Sequence, residues 1–336
     1  MADREATPQA QMMQLILSKW VSQPISLVSR LGIPDLLAAG PSSVEALAES
    51  TGAHADSLYR IMRALAAVGV FREGEARVFE LTPLGECLET DGLRFQAMLF
   101  HSPWHDRAWS ELEHSVRTGE AAFEKAFGKP AFEWLAEHPT EAQIHGRAMA
   151  ANLAARTEAV VSCFDFARFE RVVDVGCGQG ALLAAIAAKH PMLRGVGADL
   201  PHAARAARER FVAGGIADRC SAQDCDFMQD VPAGGDLYIL CNVLHDWDDE
   251  RCEAILGNCG KAMQAGGGLL VVEFLIPPGN EFSPAKLLDL EMMVMSDGGR
   301  ERTEDEYRGL LEAAGFELEQ IVPLPTGEVI MEARER

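Results

Sequence analysis

Apolar positions change their rhythm twice along the chain. Up to roughly residue 95 they recur at helical intervals. Leu58, Ile61, Met62 and Leu65 stand three and four apart, which predicts a helix over 56–68 that Gly69 stops. Ser43 is a cap for an earlier helix beginning Val44-Glu45-Ala46-Leu47. Two short β-type runs follow, Val70-Phe71-Arg72 and Val78-Phe79-Glu80-Leu81, on either side of Gly74. They predict a hairpin closed by Thr82-Pro83-Leu84-Gly85. Helix, helix, hairpin is a winged-helix arrangement. From 101 to 165 the pattern is helical again and rich in large aromatics, which by default fill a core. From about 166 the rhythm becomes short apolar runs alternating with helical segments. The runs 171–175, 195–199, 236–241, 268–274, 316–322 and 329–333 read as strands, and 181–189, 203–213 and 249–263 as helices. Alternating strands and helices predict a doubly wound α/β sheet whose ligand site lies at the strands' C-terminal edge. The expected domains are therefore 1–100, 101–165 and 166–336.

Charge removes several classes of partner. The formal net charge is −21, whereas nucleic-acid binding draws on Lys and Arg neutralising phosphates. Residues 1–100 carry eight Lys/Arg against twelve Asp/Glu, and the expected recognition helix offers only Arg60 and Arg63. The winged helix is thus expected to be an assembly module, with no nucleic-acid partner. Its early apolar positions (Met12, Met13, Leu15, Ile16, Trp20, Val21, Leu27, Val28, Leu31) come too soon in the chain to be covered by a sheet domain, which predicts a homodimer. No segment predicts a membrane span; the stretch 15–28 is broken by Lys19 and Pro24. The opening residues carry Asp3, Arg4 and Glu5 and lack the basic start and apolar run of an export signal. The expected compartment is the cytoplasm. Eight scattered cysteines form no C-x-x-C pair, so neither a zinc knuckle nor a disulfide framework is predicted. The histidines show no metal-ligand spacing, and no metal is expected.

Three motifs carry chemistry. Asp174-Val175-Gly176-Cys177-Gly178-Gln179-Gly180 follows a strand and opens a helix, where glycines let backbone approach a ligand and free N–H groups face it. With Ala181 the same run satisfies a dinucleotide fingerprint. Asp199 ends the next strand, and a carboxylate there accepts ribose hydroxyls of either NAD or S-adenosylmethionine. Asp226-Phe227, a carboxylate beside an apolar ring, suits an adenine. Val243-Leu244-His245-Asp246-Trp247-Asp248-Asp249 follows the strand 236–241 and places a histidine at the ligand edge.

Taken together these runs resemble the caffeic acid-type small-molecule O-methyltransferases of plant phenol and bacterial natural-product chemistry. The likeness extends over nearly the whole chain. It includes Phe132-Glu133-Trp134, Asp199-Leu200-Pro201-His202, Glu273 with Pro277, and Gly298-Gly299-Arg300-Glu301-Arg302-Thr303. It implies a seven-stranded, Rossmann-like class I methyltransferase sheet with a mostly helical N-terminal dimerisation domain. S-adenosylmethionine is the implied cofactor and a small aromatic or polyketide-like hydroxyl the implied acceptor. By that resemblance His245 is the general base, flanked by Glu273 and Glu301. Asp174, Gly176, Gly178, Asp199, Leu200, Asp226, Phe227, Asn242, Asp246 and Trp247 would hold the cofactor. Met149 and Met292 would lie beside the acceptor, with Trp104 and His105 in its pocket. Cys241 also falls in the cofactor set, where plant members carry a lysine, and Asn242 is the candidate replacement for that contact. Three other readings fit parts of the chain: a relative that keeps the cofactor for other chemistry, a ligand-sensing winged-helix regulator, and an NAD oxidoreductase.

Overall fold

The computed structural model describes residues 7–336. Asp3, Arg4, Glu5 and the start of the expected first domain lie outside the described residues. The chain forms two compact units. One extends to Arg107 and includes Leu135–Ala151; the other comprises Ala108–Trp134 and Asn152–Arg336.

In the first unit, helices Val44–Thr51 and Ala55–Ala67 precede the hairpin Phe71–Glu73 and Val78–Leu81. Ser43 caps the first helix by accepting from the Ala46 N–H, and His54 caps the second by accepting from Ser57. A third strand joins the hairpin: Ser42–Ser43 pairs antiparallel with Val78–Leu81. Two residues are too few to show a period in sequence. Ile33, Leu47, Leu58, Met62, Leu65, Phe71 and Phe79 pack into one apolar core. Val28, one of the early apolar positions, belongs to that core and is wholly buried, so it is covered within the first unit itself. Met12, Met13, Leu15, Ile16 and Trp20 are more than half exposed on helices Pro8–Ile16 and Lys19–Arg30.

The second unit is built on seven strands: β1 (Arg171–Val175), β2 (Arg194–Asp199), β3 (Cys220–Asp224), β4 (Leu237–Cys241), β5 (Gly268–Glu273), β6 (Phe316–Pro323) and β7 (Val329–Glu335). Their order is β3-β2-β1-β4-β5-β7-β6. The first five run parallel, and β7 lies antiparallel to both neighbours. Apolar side chains cover both faces, as a sheet sandwiched by helices requires. Val172, Leu237, Ile239, Leu270 and Val272 pack on one side with helix Ala181–Lys189. Val173, Tyr238, Leu240, Leu269 and Val271 pack on the other with Cys252, Ile255 and Leu256 of helix Asp249–Ala262. Strand order reverses between β1 and β4, so the crevice beyond their C-terminal ends is where this topology places a ligand.

Candidate active site

Backbone geometry at the end of β1 is set by glycine. Gly176 and Gly178 have φ of +73° and +55°, values an L side chain adopts only with strain. A Cβ on Gly176 would meet the Val243 side chain at 2.6 Å, whereas one on Gly178 would meet nothing within 4 Å. Gly176 is therefore fixed by packing, and Gly178 opens on free space. Asp199 joins this loop to the end of β2: its Oδ2 accepts from the Gly178 N–H at 2.7 Å and its Oδ1 from the Leu200 N–H at 2.7 Å. Burial raises the Asp199 carboxyl above the usual range, against those two hydrogen bonds. Asp174 is buried beneath the loop, and its Oδ2 has no hydrogen-bond partner among the described residues. Burial, then the Asp199 charge, pushes Asp174 up to about 7.

Phe227 and Trp247 form an aromatic corner, with ring centroids 6.0 Å apart at 82°. Asp226 is committed locally, accepting from the Met228 N–H at 3.1 Å and from Gln229 Nε2 at 2.8 Å. Asn258 holds the same loop by donating to the Phe227 carbonyl at 3.0 Å, a residue that the sequence pattern does not single out. After Cys241 the chain turns sharply. Asn242 has φ +53°, a left-handed conformation that asparagine tolerates better than most residues, and its N–H donates to the Val272 carbonyl. Burial pushes the Cys241 thiol up, while the positive charge of Arg156 acts the other way. Arg156 is itself paired with buried Glu328 at 2.6 Å.

His245 sits on the turn Leu244–Asp246 among three carboxylates. Its Nδ1 lies 2.8 Å from Glu301 Oε1 and 3.8 Å from Glu273 Oε2, and its Nε2 lies 3.7 Å from Asp246 Oδ1. Glu273 and Glu301 are buried, so neither charge is screened well by water. Burial alone would lower the imidazole's proton affinity, but Glu273, Glu301 and Asp246 outweigh it and push His245 up to about 10. Burial, partly offset by His245, pushes Glu273 up to about 7. The two glutamates hold different parts of the turn. Glu301 meets the imidazole, whereas Glu273 Oε1 accepts from the backbone N–H groups of Val243 at 3.0 Å, Leu244 at 2.9 Å and His245 at 3.4 Å. Among the described residues His245, Glu273 and Glu301 also form a cluster whose ligand-type atoms lie within 4.8 Å of one another.

Met292 is half-buried on helix Pro284–Met295. The same helix carries Asp289, which accepts from the Glu301 N–H at 3.0 Å and so ties the helix to the histidine cluster. Trp109 Nε1 donates to Glu291 on this helix at 2.9 Å. Trp104, His105 and Met149 belong to the first unit. Trp104 and His105 are buried there with rings 5.7 Å apart, Trp104 Nε1 donates to Glu141, and Met149 is exposed on helix Pro139–Cys163.

Comparison with known proteins adds an independent line. Residues 109–317 match the model of the O-methyltransferase domain, and residues 13–91 that of the O-methyltransferase dimerisation domain. A phenazine O-methyltransferase from Lysobacter antibioticus is 44% identical over 96% of this chain and 95% of its own length. A mitomycin biosynthesis 6-O-methyltransferase from Streptomyces lavendulae is 38% identical over 95% of this chain and 93% of its own. Among solved structures, an O-methyltransferase from neocarzinostatin biosynthesis, in complex with S-adenosylmethionine and 2-hydroxy-5-methyl naphthoic acid, superposes with a TM-score of 0.82. It is 33% identical and covers 94% of this chain and 96% of its own.

Proposed function

The chain belongs to the O-methyltransferase family and is an S-adenosylmethionine-dependent, homodimeric O-methyltransferase; from this premise we propose that His245 is the general base that ionises a phenolic or enolic hydroxyl of a small aromatic acceptor. The observation carrying this reading is the 2.8 Å pairing of His245 Nδ1 with buried Glu301. A carboxylate only accepts, so Nδ1 carries a hydrogen in either charge state, and when the ring is neutral its lone pair falls on Nε2.

The residues at the sheet edge fit the cofactor. Asp174 offers a buried acceptor oxygen for an ammonium group, and Asp199 keeps lone pairs for ribose hydroxyls while fixing Gly178. Phe227 and Trp247 supply the flat apolar faces an adenine needs, with Asp226, Leu200 and Asn242 on the bounding loops. At Cys241, where plant members carry a lysine, Asn242 is the candidate for the lost contact, since the nearby charge of Arg156 is offset by its pairing with Glu328. When bound, S-adenosylmethionine supplies an electrophilic methyl group on a sulfonium. The protein's part is to hold the acceptor oxygen in line and to take its proton. This use of His245, Glu273 and Glu301 involves no metal.

Residues 1–100 are assigned to assembly, 101–165 to acceptor recognition with Trp104, His105 and Met149, and 166–336 to the cofactor, the base and Met292. No helix among the described residues is long and apolar enough to cross a membrane, and the proposed location is the cytoplasm.

Asp199→Ala is expected to weaken S-adenosylmethionine at least tenfold in calorimetric titration. It loses two charge-assisted hydrogen bonds of ~1.5–3 kcal/mol each at most, and it frees the Gly178 N–H as well. Unchanged affinity would move the ribose site elsewhere. The function itself is tested by incubating the enzyme and cofactor with hydroxyphenazines, hydroxynaphthoates and aminohydroxybenzoates. The expected product is one acceptor heavier by a methyl group on oxygen; consumption of cofactor with no methylated product would point to other chemistry in the same site.

A further inference from the structure

The turn that carries His245 is held by two buried side chains of opposite charge. Its N–H side converges on Glu273, which accepts from Val243, Leu244 and His245 through a single oxygen. Its C=O side converges on Arg302. The Arg302 guanidinium donates from Nη1 to the Leu244 carbonyl at 3.0 Å and from Nη2 to the Trp247 carbonyl at 2.7 Å. Its Nε and Nη2 donate to Asp249 Oδ1 at 3.0 and 2.9 Å, which fixes the plane of the fork. Between those two carbonyls, the His245 C=O accepts from the Arg300 N–H at 2.8 Å. Arg302 is wholly buried and is the largest such side chain among the described residues.

A turn could be closed at far lower desolvation cost by backbone hydrogen bonds alone, because a fully buried guanidinium loses its hydration and recovers it only through well-made contacts. What the fork adds is geometry. Planar donors reach two carbonyls on either side of His245 and a carboxylate at once, and the three-donor point charge of a lysine cannot reproduce that pattern. Resting on the reading of His245 as base, we propose that Arg302 is a positioning residue: with Glu273 it clamps both sides of the turn so that the His245 imidazole stays seated on Glu301 with Nε2 directed at the acceptor.

The test is Arg302→Lys in the full-length enzyme, alone and combined with His245→Ala. A proton acceptor displaced by a fraction of an ångström costs turnover rather than binding. The single variant should therefore lose ~10–100-fold in kcat, with acceptor KM and cofactor Kd held within about threefold. In the His245→Ala background the same change should cost less than about threefold, because the group it positions is gone. Asp249→Asn keeps an oxygen for the fork but removes its counter-charge, so it should act in the same direction with a smaller loss in kcat and a smaller fall in melting temperature than Arg302→Lys. Imidazole nitrogen signals of His245 in the free protein provide a readout needing no acceptor. In Arg302→Lys their titration should move toward that of an ordinary histidine.

Two results would overturn the proposal: an unchanged kcat with an unchanged His245 titration, or a loss in the double variant as large as in the single one. A separate outcome, no defect in His245→Ala itself, removes the base and leaves the titration to decide whether Arg302 seats the imidazole. If Arg302→Lys does not fold, Asp249→Asn and its His245 titration decide alone.

Discussion

His245→Ala is expected to lower turnover by ~10²–10⁴ while S-adenosylmethionine affinity stays near that of the wild type. The pH dependence of the defect is more diagnostic than its size. A phenol ionises near pH ~10, and the carboxylates around His245 hold its proton up to about 10. At neutral pH the pair thus starts as imidazolium and phenol, and one proton must leave before the oxygen can attack. The remaining proton is shared between Nε2 and the oxygen, so the pair's first ionisation falls below that of either partner alone. Wild-type kcat should rise with pH and level off at this first ionisation. His245→Ala has only the acceptor's own ionisation and should keep rising to a higher pH. The ratio of the two rates is then constant at low pH and shrinks above the wild-type break. An acceptor phenol carrying electron-withdrawing groups, already ionised at neutral pH, should lose most of the defect. Single-turnover profiles of both proteins on one acceptor decide the matter: if they keep a constant ratio across neutral and alkaline pH, His245 is not the base. A small, pH-independent defect would instead fit an amine acceptor, whose lone pair is free without a base.

Much of this site is legible in the sequence because its parts follow strand ends. Gly176, Gly178, Asp199 and His245 each fall where a short apolar run stops, and the β-α alternation alone puts those positions along one sheet edge. Arrangement across long sequence separations is not legible in that way. Glu273 and Glu301 read alike in the sequence as flanking carboxylates, yet one grips the backbone of the turn and the other its imidazole. They lie 28 and 56 residues from His245, and only the packing of β5 and the 298–303 loop against the turn distinguishes them. Arg302 stands within a run already conspicuous as Gly298-Gly299-Arg300-Glu301-Arg302-Thr303, but an arginine in a loop is ordinarily solvated, and nothing local predicts its complete burial. Val28 misleads for the converse reason. On a helix with apolar residues on more than one face, spacing alone does not say which face turns inward, and here Val28 does while Leu27 remains exposed.

The difference between the two glutamates leads to the second large expected effect. In Glu301→Gln the amide can turn either its oxygen or its NH₂ toward Nδ1. When the NH₂ faces the ring, Nδ1 becomes the acceptor, Nε2 carries the hydrogen, and the base is disabled. The substitution also removes a charge that stabilises the imidazolium, so the proton affinity of His245 falls, each unit costing about 1.4 kcal/mol of driving force for proton transfer. Together these predict a kcat loss of ~10–10³, smaller than that of His245→Ala because some molecules retain the productive tautomer. The break in the pH profile should move to lower pH, the direction required when an anion beside a base is neutralised. Thermal stability at neutral pH should fall modestly, because the buried imidazolium loses its hydrogen-bonded counter-charge, while relief of the repulsion between Glu301 and both Glu273 and Asp246 offsets part of that loss. Glu273→Gln should lose more stability and leave the imidazole tautomer unchanged. Its carboxylate accepts from three backbone N–H groups, and replacing that charge weakens the turn itself, so the melting temperature falls along with turnover. Side-by-side kcat values, pH profiles and melting curves of the two variants test the division of labour. It fails if Glu301→Gln keeps full turnover with an unmoved pH break while Glu273→Gln abolishes activity at unchanged stability, because the imidazole would then be governed by Glu273 rather than by the carboxylate 2.8 Å from its Nδ1.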